Sequence, residues 1–268
     1  MKPDGTINRA VLPTIFNPED LHALEMALEI KEKHGAEIHV ISMGPPAAME
    51  VLRESIFRGA DHAYLVSDRR FAASDTLATS YTLSQAIKKV GNFDLIFCGR
   101  QAIDGDTAQV GPQIAQNLGL PQITYAEEIV NCSGNEIIVK RRLERGTETV
   151  KCKLPVVITA HSSAPECRSR HAKLMMKYKH ARTLTELQSE TEDYIKNIHN
   201  ERPYLSIEEW TVADLDANDE WLGLNGSPTK VKKIENVVRA HKETKVMNDT
   251  DSEVELLMVE LINANTFS

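Results

Sequence analysis

The side chains best suited to chemistry lie in the stretch CGRQAIDGDTAQVGPQIAQ, residues 98–116. It follows the apolar run FDLIF, which predicts a buried strand, and its second half, TAQVGPQIAQNLG, predicts a helix. A strand, a loop and a helix N-terminus form a common geometry for holding phosphate, because free N–H groups and the helix dipole attract anions. The loop nevertheless carries two acids, Asp104 and Asp106, and no lysine.

Two interpretations of this loop remain open from its residues alone. In the structural one, Asp106 is the N-cap of the following helix and Gly105 permits a tight turn. In the ligand-binding one, Gly105 and Gly111 let a ligand approach the backbone, and Thr107 and Gln109 donate hydrogen bonds to it. The carboxylates would then accept hydrogen bonds from ribose hydroxyls or from a neighbouring subunit.

Catalysis by the loop has less support than binding. A Walker lysine and a pattern of Mg²⁺ ligands are both missing, which argues against hydrolysis of a nucleoside triphosphate. DGDT has a superficial likeness to the Asp-x-Asp-x-Thr motif of phosphohydrolases that use an aspartate nucleophile. In those enzymes the nucleophile follows its strand directly, whereas CGRQAI intervenes here. The loop therefore predicts binding without turnover.

Short apolar strands and helices alternate around this loop. Asn17, Pro18 and Gly35 predict the start and end of the first helix. The alternation predicts an α/β fold with a mainly parallel twisted sheet and flanking helices. In chain order the predicted elements are the helix NPEDLHALEMALEIKEKHG, the strand EIHVISMG, the helix PAAMEVLRESIFRG, the strand DHAYLVSD, the helix SDTLATSYTLSQAIKKVG and the strand FDLIFCG.

A β-hairpin is added after this loop and helix. QITYAEEIV, NEIIVKRRLE and TETVKCKLPVVITAH predict strands joined by the turns CSGN and RG, and the chain then returns through LPVVITA as an apolar strand. We expect an α/β domain over residues 1–165, a more basic segment over 166–190 and a charged C-terminal arm over 191–268, with EVELLMVELI as a helix. The domain opens with a polar turn, KPDG, where α/β domains usually have a strand.

Composition narrows the classes of function. The chain has 268 residues and a net charge of -8, which disfavours nucleic acid and anionic membranes as partners. No apolar run approaches the roughly 20 residues that span a bilayer. The N-terminus lacks the apolar core of a signal peptide, so we expect a cytoplasmic protein. Four cysteines lie far apart and nine histidines show no ligand spacing, so we expect reduced thiols and no metal site.

Two further segments could bind ligands or partners. SDRRFAASDT would lie at the carboxyl edge of the sheet, where ligands of open α/β sheets bind. Its simpler interpretation is structural, with Asp68 capping a turn and Asp75 starting a helix. RSRHAKLMMKYKHAR, residues 168–182, is the most basic segment and predicts either a solvated helical face or a protein-docking surface, since methionine adapts to partners.

Taken together, four stretches resemble the β-subunit of electron-transfer flavoproteins. They are NPEDLHALEMALEIKEKHG, VISMGPP, RGADHAYLVSDRRFAASDTLATSYTL and GRQAIDGDTAQVGPQIAQNLGLPQITY. The resemblance runs from about residue 2 to 182. It implies an α/β fold of the adenine-nucleotide-binding type, in a heterodimer with an FAD-bearing α-subunit. The implied function is electron transfer between a flavin-dependent dehydrogenase and another acceptor.

The resemblance also implies which residues bind the nucleotide and the partner. The residues that match the family's nucleotide-binding loops are Asn17, Pro18, Glu19, Asp20, Met43, Gln101, Ala102, Ile103, Asp104, Gly105, Asp106, Thr107, Ala108, Gln109, Val110, Gly111 and Pro112. The residues in the segment matching the family's dehydrogenase-recognition loop are Arg168, Ala172, Leu174, Met175, Met176 and Lys177.

The family contains two types, which differ in the nucleotide held by the β-subunit. Ordinary members hold AMP, whereas electron-bifurcating members hold a second FAD that oxidises NADH and sends its electrons along two routes, one to ferredoxin or flavodoxin. DGDTAQVGP, PQITY and SDRRFAASDT are similar to the bifurcating type, and small residues at Gly105 and Ala108 leave room for a longer pyrophosphate. A stand-alone nucleotide-binding module is the remaining alternative.

The sequence departs from the family pattern at two places. Family members begin with a strand and a VKQVPD-like loop that helps to enclose the nucleotide, and MKPDG aligns just after it. The leucine that anchors the recognition loop falls on Ala172, with Leu174 two positions on. We therefore expect a partner other than a standard acyl-CoA dehydrogenase.

Overall fold

The computed structural model describes residues 14–229, 244–264 and 266. The described residues up to 229 belong to one compact unit, and those from 244 onward belong to a second. The polar turn predicted at residues 2–5 lies outside the described residues. Within the described ranges, no helix is both long and apolar enough to cross a membrane.

Helices and strands alternate in the first half of the larger unit. Helix α1 has Pro18 in its first turn and ends at Gly35, whose φ of 71° is in the left-handed region that glycine adopts without strain. Both boundaries were predicted from these two residues. The elements are α1 Pro18–His34, β1 His39–Met43, α2 Met49–Arg58, β2 His62–Val66, α3 Thr76–Val90 and β3 Leu95–Gly99.

The second half of this unit contains the predicted hairpin. The predicted stretch TETVKCKLPVVITAH forms two strands, and the segment that joins them contains a cis peptide bond between Leu154 and Pro155. The elements are α4 Val110–Leu118, β4 Gln122–Ser133, β5 Glu136–Leu143, β6 Gly146–Lys153 and β7 Val156–Ala160.

The C-terminal part contributes mostly short elements. They are α5 Ala172–Tyr178, α6 Leu184–Ser189, α7 Asp193–Glu201 and β8 Glu208–Trp210 in the larger unit, and α8 Asp251–Asn263 in the second. Helix α8 contains the segment EVELLMVELI, as predicted, and its apolar side chains are exposed within the described residues.

The strands form two sheets in the described residues. One is wholly parallel, in the order β1-β2-β8, and the other has the order β3-β7-β4-β5-β6. In the second sheet β7 pairs in parallel with both β3 and β4, and β4, β5 and β6 pair antiparallel. The predicted α/β class, with a mainly parallel sheet and an added hairpin, is confirmed.

The core lies between α1 and the second sheet. Val156, Val157 and Ile158 of β7 are fully buried, as expected for a strand paired on both sides. Met26 and Ile30 of α1 pack against the same cluster. This packing holds the N-terminus of α1 against the carboxyl end of β3.

A cavity separates the two sheets. Strands β1 and β3 are each the last strand of their sheet among the described residues, and each has one edge without a ladder partner there. Residues 39–43 and 95–99 both line a cavity of about 1050 Å³, together with Ala23 and Ile30 of α1 and Ile87 of α3. The two sheets are thus joined through helices.

The C-terminal arm takes part in the α/β unit. Strand β8 pairs in parallel with β2, and Trp210 stacks on Tyr64 with the ring centroids 4.4 Å apart. Leu215 and Leu222 belong to the same buried cluster. The proposed boundaries at residues 165 and 190 stay a prediction, and part of the 191–268 segment completes the first sheet.

Candidate functional site

The loop between β3 and α4, residues 100–109, lies at the carboxyl end of β3. Two of its residues that are not glycine have left-handed backbones, Asp106 with φ of 52° and Ala108 with φ of 54°. Such conformations cost on the order of 1–3 kcal/mol each and persist only where the surroundings enforce them. The loop therefore has a path that other parts of the chain must hold in place.

The first turn of α1 holds this loop. The Asn17 amide nitrogen donates to the Gln101 carbonyl at 2.9 Å, and the Ile103 N–H donates to the Asn17 side-chain oxygen at 3.2 Å. Glu19 accepts hydrogen bonds from the Gln101 N–H at 2.9 Å and from the Arg100 guanidinium at 3.1 Å. These side chains provide hydrogen-bond partners for backbone groups of the loop that have no partner in a helix or strand.

Asp20 is the third member of this arrangement. Its carboxylate accepts the Gly99 N–H at 2.6 Å and the Asn17 amide at 2.9 Å. Burial raises the pKa of Asp20, although these two hydrogen bonds act in the opposite direction. The contact requires glycine at residue 99, because a Cβ there would lie 2.8 Å from the Asp20 backbone nitrogen.

Helix α4 begins later than predicted and has no side-chain cap. It starts at Val110, its N-cap residue is Gln109, and the Gln109 side chain accepts no hydrogen bond from the first turn. The interpretation of Asp106 as the N-cap is wrong, because its carboxylate accepts a hydrogen bond from the Gln101 side chain instead. The N–H groups of Val110 and Gly111 thus lie at the positive end of the helix dipole without a cap from the N-cap side chain.

Gly111 has a packing role. A Cβ at this residue would lie 2.6 Å from Cγ2 of Thr159 and 3.0 Å from Sγ of Cys98, so α4 approaches the sheet closely here. Burial raises the pKa of the Cys98 thiol to about 12. Cys98 packs against α4 beneath the loop, and all four cysteines are free, as the sequence predicts.

The second loop at this edge has the structural role that its sequence favours. Asp75 caps α3 by accepting hydrogen bonds from the N–H groups of Leu77 and Ala78, and it also accepts one from Thr229. Burial alone would raise the pKa of Asp75, but these hydrogen bonds outweigh it and lower the pKa. Asp68 caps a short turn through the Arg70 N–H at 2.9 Å.

Most of the predicted nucleotide-binding residues meet at one cavity. It is lined by residues at the carboxyl ends of β1 and β3 and by the two strands themselves. The predicted residues that line it are Asn17, Asp20, Met43, Gln101, Ala102, Asp104, Thr107, Ala108, Gln109, Val110 and Gly111. The predicted residues that do not line it are Pro18, Glu19, Ile103, Gly105, Asp106 and Pro112.

Comparisons with known proteins identify the family. A model of the electron transfer flavoprotein domain matches residues 4–185. The chain belongs to the electron transfer flavoprotein family. It is 42% identical over 240 residues to an electron transfer flavoprotein subunit beta of Clostridium acetobutylicum, covering 85% of this chain and 78% of that protein.

Two relatives carry names that include a reductase. One is the caffeyl-CoA reductase-Etf complex subunit CarD of Acetobacterium woodii, 42% identical over 229 residues that cover 85% of this chain and 78% of that protein. The other is the acryloyl-CoA reductase electron transfer subunit gamma of Anaerotignum propionicum, 52% identical over 161 residues. That match covers 59% of this chain and 60% of that protein. The predicted kinship with the β-subunits of this family is confirmed.

The segment predicted to recognise a partner of the flavoprotein is anchored at one end and exposed at the other. The Arg168 guanidinium donates to Glu25 of α1 at 2.7 Å and also to Glu32, and these hydrogen bonds raise the pKa of Arg168. Arg168 thus fixes the segment to α1 of the same chain. Helix α5 has no buried residue; Met176 is 68% exposed and Met175 37% exposed.

The remaining residues of that segment lie along α5. Ala172 and Lys177 are exposed and Leu174 is half-buried. The Lys177 ammonium lies 4.7 Å from the centre of the Tyr178 ring and 5.0 Å from that of Tyr204. Their role in recognition stays a prediction.

Sequence reasoning missed two residues beside the loop. Tyr125 has a left-handed backbone with φ of 59°, and its N–H donates to the Thr159 hydroxyl at 3.2 Å. The Arg100 guanidinium lies 5.7 Å from the centre of the Tyr125 ring. Both residues lie in stretches that carry the family resemblance, GRQAIDGDTAQVGP for Arg100 and PQITY for Tyr125, and the position of Arg100 directly after a strand is a further signal.

The contact between Asp20 and Gly99 gives a first prediction. Asp20→Ala leaves the Gly99 N–H without its acceptor and removes one of the two acceptors of the Asn17 amide, so the free energy of unfolding should fall by about 1–3 kcal/mol. Urea unfolding of the chain measures this. Asp216→Ala removes an exposed carboxylate and should leave stability unchanged. Equal stability of the Asp20 variant and the parent would disprove the anchoring role.

The two glycines of the loop region give a second prediction. Gly111→Ala should lower the free energy of unfolding by about 1–3 kcal/mol, because the added methyl group overlaps Thr159 and Cys98. Gly105→Ala is the matched control, since a Cβ at Gly105 meets nothing within 4 Å. It should change stability by less than about 0.5 kcal/mol. Similar losses in both variants would contradict the packing role of Gly111.

Proposed function

We propose that this chain is an electron-carrying β-subunit that binds an adenine nucleotide at the cavity beside residues 100–112 and works with an FAD-bearing α-subunit. The observation that carries the proposal is the uncapped N-terminus of α4 at the mouth of that cavity. Free N–H groups at a helix N-terminus are ready partners for phosphate oxygens. Thr107 and Gln109 at the cavity wall add polar groups beside them.

The acids of the site fit this proposal. Glu19 and Asp20 bind the backbone of residues 99–101, and Asp106 binds the Gln101 side chain. Their negative charge is therefore used to hold the loop and does not need to contact phosphate. The first turn of α1 positions the loop, and the N-terminus of α4 receives the anion.

We propose FAD as the nucleotide in this subunit, with AMP as the alternative. The cavity includes the space between β1 and β3, so its volume alone does not distinguish the two. Support comes from the small side chain of Ala108 at the cavity wall and from relatives whose names place them with CoA reductases. A bound flavin would supply the redox chemistry, while the chain sets its position and surroundings.

The proposed partners follow the same reasoning. We propose NADH as the electron donor, ferredoxin or flavodoxin as one acceptor, and a flavin-dependent acyl-CoA oxidoreductase as the dehydrogenase partner. The names of the Acetobacterium and Anaerotignum relatives support an enzyme of the reductase kind over a standard acyl-CoA dehydrogenase. The exposed methionines of α5 are the proposed docking surface for it.

Counting nucleotides tests the proposal directly. The chain is co-expressed with its α-subunit, the complex is purified and denatured, and released nucleotides are quantified by chromatography. We expect two FAD per complex and no AMP. One FAD with one AMP would refute the second-flavin proposal and retain the β-subunit assignment. Failure of the chain to co-purify with an FAD-bearing subunit would refute that assignment and favour a stand-alone module.

A substitution at the cavity wall tests the site itself. Ala108→Leu places a larger side chain in the cavity, and leucine adds no branch at Cβ, where branching would crowd the left-handed backbone most. We expect nucleotide occupancy of this subunit to fall at least about tenfold, with the FAD of the α-subunit retained. Ala264→Leu, at the end of α8, is the control. Unchanged occupancy in the Ala108 variant would contradict the assignment of this cavity.

A further inference from the structure

Two histidines that are distant in sequence meet at the amino ends of β1 and β2. His39 and His62 are the first residues of these strands and are register partners in the parallel ladder. Glu37 lies two residues before β1. We propose that Glu37, His39 and His62 form a binding site for a divalent transition-metal ion of the zinc class.

The donor atoms are already close to one another. One donor atom from each side chain can be chosen so that all three lie within 4.8 Å of one another. Nε2 of His62 is 2.7 Å from one Glu37 oxygen, and Nε2 of His39 is 3.7 Å from the other. Around a tetrahedral zinc ion with bonds of about 2.0–2.1 Å, donor atoms lie roughly 3.3 Å apart. The two separations, 2.7 Å and 3.7 Å, lie below and above that spacing, so small side-chain movements would bring the three donors around one ion.

A second residue orients one of the imidazoles. Nδ1 of His39 lies 3.0 Å from the Tyr64 hydroxyl. When Nδ1 carries the proton and donates to this oxygen, Nε2 keeps its lone pair, which is the state that binds metal. Tyr64 is itself held by stacking on Trp210. The hydroxyl is therefore a fixed support for the ring of His39.

The His62 ring can turn so that the two imidazoles share one ion. The His39 and His62 rings are stacked, with centroids 4.6 Å apart and planes 16° apart, so their lone pairs run side by side. A shared ion requires the His62 ring to rotate about its Cβ–Cγ bond, a soft torsion with broad minima, while His39 keeps its contact with the Tyr64 hydroxyl. The His62 side chain is 46% exposed, which leaves room for this rotation.

The donor set selects the class of metal. Two imidazole nitrogens and one carboxylate suit Zn²⁺, Co²⁺ and Ni²⁺, and they are a poor match for Mg²⁺ and Ca²⁺, which prefer all-oxygen ligands. Three protein ligands leave a fourth position for water or for a group from a partner. The ion would link the beginnings of two neighbouring strands, at the end of β1 opposite to Met43, and Glu37 and His39 also line the cavity.

The experiment uses the full chain without an affinity tag, stripped of metal with a chelator. Titration with Zn²⁺ is followed calorimetrically, and titration with Co²⁺ by visible absorption of the bound ion. We expect one ion per chain with a dissociation constant in the micromolar range, and no binding of Mg²⁺. The temperature of unfolding should rise with Zn²⁺, because the ion binds the folded state.

Variants distinguish this site from adventitious binding. His39→Ala and His62→Ala should each weaken Zn²⁺ binding at least about tenfold, and Tyr64→Phe should weaken it by about tenfold while keeping one ion per chain. His34→Ala, an exposed histidine outside the group, should bind as the parent does. The metal-free variants must unfold at the temperature of the metal-free parent. Unchanged affinity in the His39 and His62 variants, or no stoichiometric binding by the parent, would overturn the proposal.

Discussion

The path of the candidate nucleotide loop depends on hydrogen bonds from the first turn of α1. Asn17, Glu19 and Asp20 together bind backbone groups of residues 99, 101 and 103, which lie 79 to 86 residues later in the chain. An unpaired backbone group in a buried place costs free energy, so this network determines where the loop can run. The left-handed residues of the loop and the uncapped start of α4 are both consequences of that path.

The fold was predictable because its signals are local. Pro18 and Gly35 mark the ends of α1, and Asp75 caps α3, and each acts within a few residues of its own position. The short apolar runs between the helices gave the parallel strands. Asp106 shows where local signals fail. Aspartate is a favoured N-cap residue, but the carboxylate of Asp106 accepts a hydrogen bond from the Gln101 side chain, and Gln109 is the N-cap of α4.

Other features of the site depend on partners far away in sequence. The family resemblance marked Asn17, Glu19 and Asp20 as nucleotide-binding residues, and nothing near them shows that their partners are the backbone of residues 99–103. Strand β8 has three residues in a polar arm, so its pairing with β2 leaves no periodic signal. The meeting of His39 and His62 follows from strand register, which spacing along the chain does not reveal.

Strands β1 and β3, which line the cavity, differ from β2 and β7 in how their edges are paired. In β2 and β7 both edges are paired, so backbone N–H groups on either side have ladder partners. In β1 and β3 the edge that faces the cavity has none among the described residues. Amide hydrogen exchange reports such pairing residue by residue, and protection factors depend on it. In that measurement, β2 and β7, which are paired on both edges, should have the strongest protection.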